Sequence, residues 1–549
     1  MRDAMETRAA AADHVLSQLN RAEFREFLVS SLLELCSIDS TPERDVANLR
    51  KRERAAFDAI RSIAGDNLSR GEWREVPIDH EVLSAEESYT APYYTDSVSP
   101  YADRSNLILI LPAENESASG ASIAVNAHID TVQPYVAPER RGGRVFGRGS
   151  CDDKGNVTVM LGAIRLLGEI KRRFGIAPAK DLLFMFAIDE ESGGNGSLAL
   201  ALDGNLKQRY DELVVLECCE NTVYCANRGA LWYRIELPVD RIKAPVKVAA
   251  ELVLALEAAG RAIKQESDHP LFIDRPVQTC HGIWGPWGEH PSRVCGYLEL
   301  AAKTGLSEAA VKEAINGGLQ RYTSLYGDKT QTTRNGTAVV PWHYRLEQEA
   351  SRCLVKIMGS TGHMAAVAQN DGALTKAAFL IEALAVADPQ AEIELVGYDP
   401  RRPFVMEGGQ SFVPTHSLQQ IKLRIRDACR KVLSRFGFSD TEVEGMVTMN
   451  KLHNSAFCSD PESGLFLNAR TISAGLGLPQ GAVPQGWGAS CDARLFAERY
   501  PQMPVITMGA GDLNNAHSDN ESIDIDDLTR NAGLLTLLLL ERSGAFKAA

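Results

Sequence analysis

The chain contains 549 residues, more than one hydrophobic core normally accommodates, so two or more domains are expected. Hydrophobic residues make up 44% and charged residues 24% of the chain, the balance of an ordinary globular protein. The formal net charge of -14 argues against a nucleic-acid-binding protein, because such proteins usually present a basic face.

Neither terminal region has a pattern typical of a secretory or membrane-spanning segment. Met1–Asn20 contains charges throughout and lacks the continuous apolar core of a signal peptide. The apolar run Leu534–Leu540 is too short to cross a bilayer, and we interpret it as a buried face of the last helix. The 11 cysteines form no CxxC pair typical of metal sites, and their odd number indicates reduced thiols. We therefore expect a cytoplasmic protein that binds no membrane.

The first part of the chain alternates helices and strands. Apolar spacing predicts helices over Arg21–Cys36 and Asn48–Ile63, and short β-branched or leucine-rich runs predict buried strands at Asn106–Leu111 and Ile123–Ala127. A third helix is predicted over Gly155–Arg173. Two further apolar strands follow at Asp181–Ile188 and Leu213–Leu216. This order is typical of an open α/β sheet, in which sites form outside the carboxyl ends of the strands.

The pattern changes after Gly229. Leu231–Leu237 alternates apolar and polar side chains, which predicts a half-exposed antiparallel strand. Residues 240–345 are rich in Pro, Gly, Trp and His, and the sequence alone assigns them no topology. Strands are then predicted at Cys353–Met358 and Glu392–Gly397, with helices over Asp371–Val386 and His416–Phe436.

From about Pro461 the α/β pattern returns. A helix is predicted over Glu462–Leu476, a strand at Val505–Met508, and a helix at the C-terminus. The central segment is therefore expected to be inserted into the α/β domain.

Imidazole and carboxylate groups follow several of these strands. His128 follows an apolar run, and Asp130, two residues on along an extended chain, points to the same side and can orient the imidazole. A histidine at a strand end can also be purely structural. Asp152 and Asp153 precede a helix, so one of them is expected to cap it while the other is free to bridge cations.

Further acidic groups follow the next strands. Glu190 and Glu191 stand at a bend, where adjacent side chains diverge, so one can bind metal while the other acts as general base. A solvated acidic loop is the alternative for any such pair. Glu217 ends a strand, with Glu220 as a nearby substitute, and His517 follows the strand Val505–Met508.

In this order the motifs resemble metallopeptidase family twenty, which includes aminoacylase, carboxypeptidase G, acetylornithine deacetylase, succinyl-diaminopimelate desuccinylase and dipeptidase V. The resemblance covers residues 21–235 and 460–549, and more loosely 353–386. The motifs that carry it are Ala-His-Ile-Asp-Thr-Val (127–132), Gly-Arg-Gly-Ser-Cys-Asp-Asp-Lys-Gly (147–155), Asp-Glu-Glu-Ser-Gly-Gly (189–194) and Ala-His-Ser-Asp-Asn-Glu (516–521).

The resemblance implies a site with two Zn²⁺ ions, for which Co²⁺ or Mn²⁺ could substitute because the ligands are His and carboxylate. His128 would bind the first ion, and Asp152 would bridge both. Glu191 and His517 would bind the second ion, and Glu217 would be the remaining carboxylate ligand. The cysteines after Glu217 depart from the family pattern, which leaves Glu220 as the alternative.

The catalytic roles implied by the resemblance fall on three other residues. Glu190 would be the general base, and Asp130 would orient His128. In the inserted segment, Gly359–Ala365 resembles the family's lid motif, in which the histidine, here His363, reaches the substrate oxyanion. Arg494 would bind a substrate carboxylate, with an ion pair to Asp492 as the alternative.

The implied fold is an α/β, zinc-peptidase-like catalytic domain whose mixed sheet is flanked by helices and interrupted by an α+β lid domain. Residues 1–235 and 458–549 would form the catalytic domain, and residues 236–457 an enlarged lid. Dipeptidase V-like members carry a comparably enlarged lid. It implies a monomer in which His363 acts within its own chain, with a lid-mediated homodimer as the alternative.

Two functions are compatible with these observations. The first is a di-metal hydrolase that cleaves an amide bond of a small peptide or an N-acyl amino acid by a metal-activated water. The second is a non-catalytic family member that acts as a binding or assembly module. The presence of Glu190 favours the hydrolase, whereas the identity of the substrate and the choice between peptidase and deacylase stay open.

Overall fold

The computed structural model describes residues 2–65, 71–114, 120–334, 336–349 and 351–546. The chain divides into two compact units, one formed by residues 1–227 with 457–549 and the other by Arg228–Ala456. Within the described ranges, no helix is both long enough and apolar enough to cross a membrane.

The first unit is built on a six-stranded mixed sheet. Five of the strands, all except Glu72–Pro77, are almost continuously apolar, as expected for strands covered by helices on both faces. Ser105–Leu111 pairs antiparallel with both of its neighbours, Glu72–Pro77 and Leu182–Ala187. All the other neighbouring strands of this sheet pair in parallel. In spatial order the strands are Glu72–Pro77, Ser105–Leu111, Leu182–Ala187, Ile123–His128, Glu212–Leu216 and Val505–Met508.

Helices cover both faces of this sheet. On one face the long helix Lys154–Phe174 packs against Ala22–Ser37 and Ile525–Arg542. Gly162 permits this close packing, since a Cβ there would lie 2.8 Å from a Leu28 methyl carbon and 3.0 Å from the Ala532 Cβ. The other helices of this unit are Arg2–Leu19, Val46–Ala64, His80–Ser84, Asn195–Leu202, Gly204–Lys207, Gly464–Gly475 and Ala493–Arg499.

Small pairings complete the first unit. Ser522–Asp524, Arg144–Phe146 and Glu139–Arg141 form a short antiparallel sheet. Ala226–Asn227 pairs with Phe457–Cys458, so the two chain segments of this unit meet where the second unit leaves and returns.

The second unit contains two antiparallel sheets. The central strand Gly229–Leu237 of the first sheet is flanked by Phe404–Phe412 and by Val447–Thr448 with His453–Asn454, and Thr279–Trp284 lies at the edge. In order, the strands of the second sheet are Tyr344–Gln348, Cys353–Met358, Tyr297–Lys303 and Glu392–Leu395. Short pairs join Arg293–Val294 to Gly362–His363 and Thr333–Arg334 to Thr337–Ala338.

The helices of the second unit include two in the region to which the sequence assigned no topology. These are Pro245–Glu266, which begins with Pro at its first position, and Glu308–Tyr326. Both pack against Ala373–Ala387. The remaining helical segments are Met364–Gln369, Leu418–Leu433, Ser434–Phe436 and Asp440–Met446. The mixed sheet flanked by helices confirms the predicted fold class.

Candidate metal centre

Acidic and imidazole side chains collect at the carboxyl ends of the parallel strands in the first unit. His128 is the last residue of its strand and pairs in register with Ala187, so the bend that carries Glu190 and Glu191 leaves the sheet at the same edge. Glu217 directly follows the next strand, Glu212–Leu216. Parallel strands therefore bring distant parts of the sequence to one place.

Two groups of possible metal ligands share one carboxylate. His128, Asp152 and Glu217 form one group, and Asp152, Glu191 and His517 form the other; within each group the donor atoms all lie within 4.8 Å of one another. Oδ1 of Asp152 is 3.1 Å from Nε2 of His128, and its Oδ2 is 3.2 Å from Nε2 of His517. Asp152 thus directs one oxygen toward each group, the geometry of a bridging ligand.

Glu190 lies beside these groups without belonging to either. Its Oε2 is 4.0 Å from Nε2 of His128. Oε1 of Glu217 is 3.9 Å from the same nitrogen, and Glu217 also has a donor atom within 4.8 Å of one of Asp152, which Glu190 does not share. Glu220 lies outside: its side chain is exposed, and its backbone N–H donates to the carbonyl of Gly511. The geometry thus favours Glu217 over Glu220 as a donor.

Asp130 contacts both sides of the cluster. Nδ1 of His128 lies 3.0 Å from the carbonyl oxygen of Asp130 and 3.4 Å from its Oδ1. The same carboxylate accepts the backbone N–H groups of Glu190, at 3.1 Å, and of Glu191, at 3.0 Å. One buried side chain therefore fixes the imidazole and the acidic bend together, which is more than the orienting contact inferred from sequence.

The expectation that one of the paired aspartates caps the helix is wrong. Asp153 occupies the N-cap position of Lys154–Phe174, but its side chain makes no capping hydrogen bond. Its carboxylate instead accepts the backbone N–H of His128 at 3.2 Å and the amide of Asn156 at 2.7 Å. It is directed to the strand end rather than to the helix amides, and so it supports the position of His128.

A buried ion pair between Arg148 and Glu521 supports Asp152 and His517. The sequence analysis assigned neither residue a role. Oε1 of Glu521 accepts the backbone N–H groups of Cys151 and Asp152, at 3.0 and 3.1 Å. Its other oxygen pairs with Arg148, which also donates to the carbonyl of His517 at 3.4 Å. Arg148 and Glu521 both stand within the quoted motifs, and that position is the signal by which the sequence could have identified them as site residues.

The electrostatics of the cluster fit bound cations. Burial, followed by the charge of Asp152, raises the pKa of Glu217, and burial with the charge of Asp492 raises that of Glu190. The charge of Glu191 is the main cause that raises the pKa of His517 to about 12. Buried carboxylates that repel one another and imidazoles that hold protons are expected where cations would supply the missing positive charge. His and carboxylate donors suit Zn²⁺, Co²⁺ or Mn²⁺.

Two residues are proposed to contact substrate, and the structure shows other contacts for each. His363 belongs to the second unit, where its backbone pairs with Arg293; its side chain lies outside the described part of the structure. Arg494 donates from Nη2 to the carbonyl of Gly193 at 2.9 Å. The charge of Asp492 opposes the fall that burial causes in the pKa of Arg494, so the Asp492 alternative stays open, and the guanidinium also holds the bend that follows Glu191.

Comparison with known proteins places the chain in a family. A family model described as "Peptidase family M20/M25/M40" matches residues 124–541, most of the chain. A peptidase M20 domain-containing protein of Schizosaccharomyces pombe is 30% identical over 114 residues, which cover 21% of this chain and 27% of that protein. A probable carboxypeptidase of Neosartorya fischeri is 25% identical over 134 residues, 22% of this chain and 29% of that protein. The matches thus span less than a third of the length of these curated relatives.

Solved structures share the fold along nearly the whole chain. Human carnosine dipeptidase 1 aligns with a TM-score of 0.56 at 13% identity, covering 97% of this chain and 98% of that one. The di-peptidase Dug1p of Saccharomyces cerevisiae aligns with a TM-score of 0.52 at 14% identity, covering 99% of each chain. At 13% and 14% identity, these structural similarities show a shared fold and nothing further.

Proposed function

Because the chain belongs to peptidase family M20/M25/M40, we propose that it is a metal-dependent hydrolase that cleaves an amide bond of a small peptide or an N-acyl amino acid. One observation carries this proposal. Asp152 directs its two oxygens to two different imidazoles, and Glu190 stands beside the resulting pair of donor groups as an unused carboxylate. The non-catalytic alternative is not favoured, because each expected donor and the expected base are present.

The proposal assigns two divalent cations, Zn²⁺ by preference, to the two groups. The first would be held by His128, Asp152 and Glu217, and the second by Asp152, Glu191 and His517. The support is the donor chemistry and the spacing within each group. When bound, the pair supplies a polarised substrate carbonyl and a water of lowered pKa.

The remaining chemistry belongs to the chain's own side chains. Glu190 takes the proton of the attacking water and returns it to the leaving amine. Asp130 keeps Glu190 and His128 in a fixed relation, because it hydrogen-bonds to the backbone of one and the ring of the other. Arg494 binds a substrate carboxylate; in support, its Nε is buried without a hydrogen-bond partner.

The second unit contributes the lid in this proposal, and His363 hydrogen-bonds the substrate oxyanion from within the same chain. The length of the segment before the Gly359–Ala365 motif supports a monomer. Mixing inactive Glu190→Gln chains with inactive His363→Ala chains tests this under conditions of subunit exchange. Mixtures that stay inactive fit the monomer, and restored activity would show that His363 serves a partner chain.

A reducing, cytoplasmic location is part of the same proposal. All 11 cysteines lie in the described ranges, and each is a free thiol; ten of them are buried. Structural disulfides are typical of oxidising compartments, so free thiols fit a reducing one.

The decisive experiment is a hydrolysis assay on the purified protein loaded with Zn²⁺, Mn²⁺ or Co²⁺. The substrates are dipeptides and N-acyl amino acids, and the matched control is Glu190→Gln with the same metal content. Hydrolysis by the wild type alone supports the proposal, and the better substrate class separates peptidase from deacylase. Two bound ions without hydrolysis of any amide would support the binding module.

A further inference from the structure

A tyrosine-rich segment lies on the acidic bend of the first unit. We refer to Thr90–Tyr94 as the tyrosine segment. At its start, the amide side chain of Asn195 accepts the Thr90 N–H at 3.2 Å and donates to the Thr90 carbonyl at 2.6 Å. At its end, the hydroxyl of Tyr94 donates to Oδ1 of Asp189 at 2.8 Å. The segment is thus bound to both ends of the bend that contains Glu190 and Glu191.

The contact between segment and bend is direct. Gly193 has a φ of 132°, and a Cβ there would lie 2.4 Å from the Cβ of Thr90. A side chain at this position would therefore collide with the segment and would also disfavour the backbone conformation. Glycine permits Thr90 to pack onto the bend itself.

A buried network fixes the far end of the segment. Arg104 donates to the hydroxyl of Tyr94 at 2.7 Å and forms a fork with Glu53, including an Nε to Oε2 contact of 3.0 Å. The hydroxyl of Tyr101 donates to the second oxygen of Asp189. These side chains are almost fully buried. Satisfied buried networks of this kind hold one conformation, so the position of the segment is well determined.

Tyr93 is the exception within this ordered segment. It is 68% exposed, whereas its neighbour Tyr94 is 8% exposed, and the two rings meet edge to face at 5.8 Å. It lies between the two attachments, whose partners Asp189 and Asn195 flank Glu190–Ser192 along the chain. Partial desolvation, followed by the charge of Glu191, raises the pKa of its phenol, in agreement with that placement.

We propose that Tyr93 contacts the substrate and makes the site selective for a large apolar side chain next to the scissile amide. Isolated exposed hydrophobic residues are common on protein surfaces. Here, however, the backbone on both sides is fixed, and the segment that carries the ring is bound to the bend of Glu190 and Glu191. A rigid, exposed aromatic ring offers contact area at a low cost in conformational entropy. The inference rests on the proposed amide hydrolysis, since it names a substrate class for that site.

The test compares peptides that differ only in apolar size. Wild type, Tyr93→Ala and Tyr93→Phe are assayed with Gly-Gly, Gly-Leu and Leu-Gly. The expected result for Tyr93→Ala is a loss of about tenfold in kcat/KM for a leucine peptide, the lower end of what an apolar pocket contact contributes. Gly-Gly hydrolysis is expected to change by less than about twofold, and Tyr93→Phe should retain the preference because it keeps the ring.

The matched control is Val98→Ala, which removes an exposed side chain from the same connecting region, 91% exposed and outside the contacts described above. It should leave all three peptides unaffected. Tyr93→Ser serves as a second variant if the alanine protein folds poorly. Equal losses for glycine and leucine peptides in the Tyr93 variants would overturn the inference.

A binding measurement separates this inference from the proposed function. Leucine and glycine are titrated calorimetrically into the Zn²⁺-loaded wild type and into Tyr93→Ala. Leucine should bind the variant about tenfold more weakly, and glycine should bind both alike. If no peptide is hydrolysed but leucine binding still depends on Tyr93, the proposed function fails and this inference stands. Equal leucine affinity, or none for either protein, would overturn it.

Discussion

The two donor groups of the metal centre share Asp152 but differ in their surroundings. In the group with Glu217, the side chains of His128 and Glu217 are 2% and 6% exposed. In the group with Glu191, the side chain of His517 is 48% exposed, whereas that of Glu191 is 7% exposed. One group is therefore enclosed, and the other is open to solvent on the side of His517.

Their supports differ in the same sense. His128 and Glu217 stand at strand ends, where the parallel register fixes the backbone. His517 lies on a turn with a φ of 62°, and Asp189, before the acidic bend, has a φ of 65°. Non-glycine residues in this region are strained and persist only when their surroundings hold them. The enclosed group is thus preformed by the fold, and the open group depends on local contacts such as those of Arg148 and Asp189.

The largest expected effect falls on neither group. Glu190→Gln should lower kcat by about a hundred- to ten-thousand-fold while both ions stay bound, because the amide cannot accept the water's proton. Steady-state kinetics together with elemental analysis check this. Near-normal kcat with full metal content would show that Glu190 is not the general base. The two donor groups would then have no general base assigned to them.

The shared ligand should behave differently from the ligands of one group. Asp152→Ala is expected to lose both ions, since one oxygen serves each group. His128→Ala is expected to weaken mainly the enclosed ion. Elemental analysis of the purified variants measures both. Full metal content in Asp152→Ala would transfer the bridging role to Asp153, which lies next to it.

Much of the fold was accessible from sequence for a physical reason. The strands Ser105–Leu111, Ile123–His128 and Leu182–Ala187 are buried on both faces, so their apolar runs are continuous and were predicted within a residue or two. The central segment also contains a signal: Pro245 stands at the first position of a long helix, and proline is typical of a helix start. The edge strand Glu72–Pro77 is mostly exposed and carries no such pattern.

The ligand candidates were accessible through the family resemblance, because most stand in the quoted motifs and Glu217 directly follows a predicted strand. The contacts that support them were not accessible, although Arg148 and Glu521 stand in the same motifs. Arg148 and Glu521 are 373 residues apart, and Tyr94 is 95 residues from Asp189, so only the folded chain brings them together. The prediction that Asp152 or Asp153 caps the helix was wrong for the same reason: the partner of Asp153 is the backbone of His128, 25 residues away.

Loss of a ligand from the open group should affect a single ion. His517→Ala is expected to retain the enclosed ion and lose the other, and in the wild type a chelator should remove the ion of the open group first. Burial limits access and lowers the local dielectric, which strengthens the contacts of the enclosed cation. Stepwise titration with a chelator, followed by metal analysis, checks the order. Simultaneous release of both ions would mean that exposure does not distinguish the groups.

The smallest effect is expected at a residue that binds no ion but supports both groups. In the wild type, one oxygen of Asp130 accepts the N–H of Glu190 at 3.1 Å, and the other accepts the N–H of Glu191 at 3.0 Å. Asp130→Asn keeps the shape of the side chain but leaves a single oxygen for both N–H groups. Removal of such a supporting contact typically costs about 10- to 100-fold in metal affinity or activity.

Metal affinity from competition with a fluorescent chelator measures this effect. Asp211→Asn is the matched control, because that carboxylate also accepts a backbone N–H, from Ser122 at 3.0 Å, but lies at the other end of the strand, away from the cluster. The control should bind metal like the wild type. If Asp130→Asn binds both ions as tightly as the control, then His128 and the acidic bend are positioned independently, and the two groups are coupled through Asp152 alone. A loss confined to one ion would show which group depends more on Asp130, and the strand-end position of His128 predicts that this is the open one.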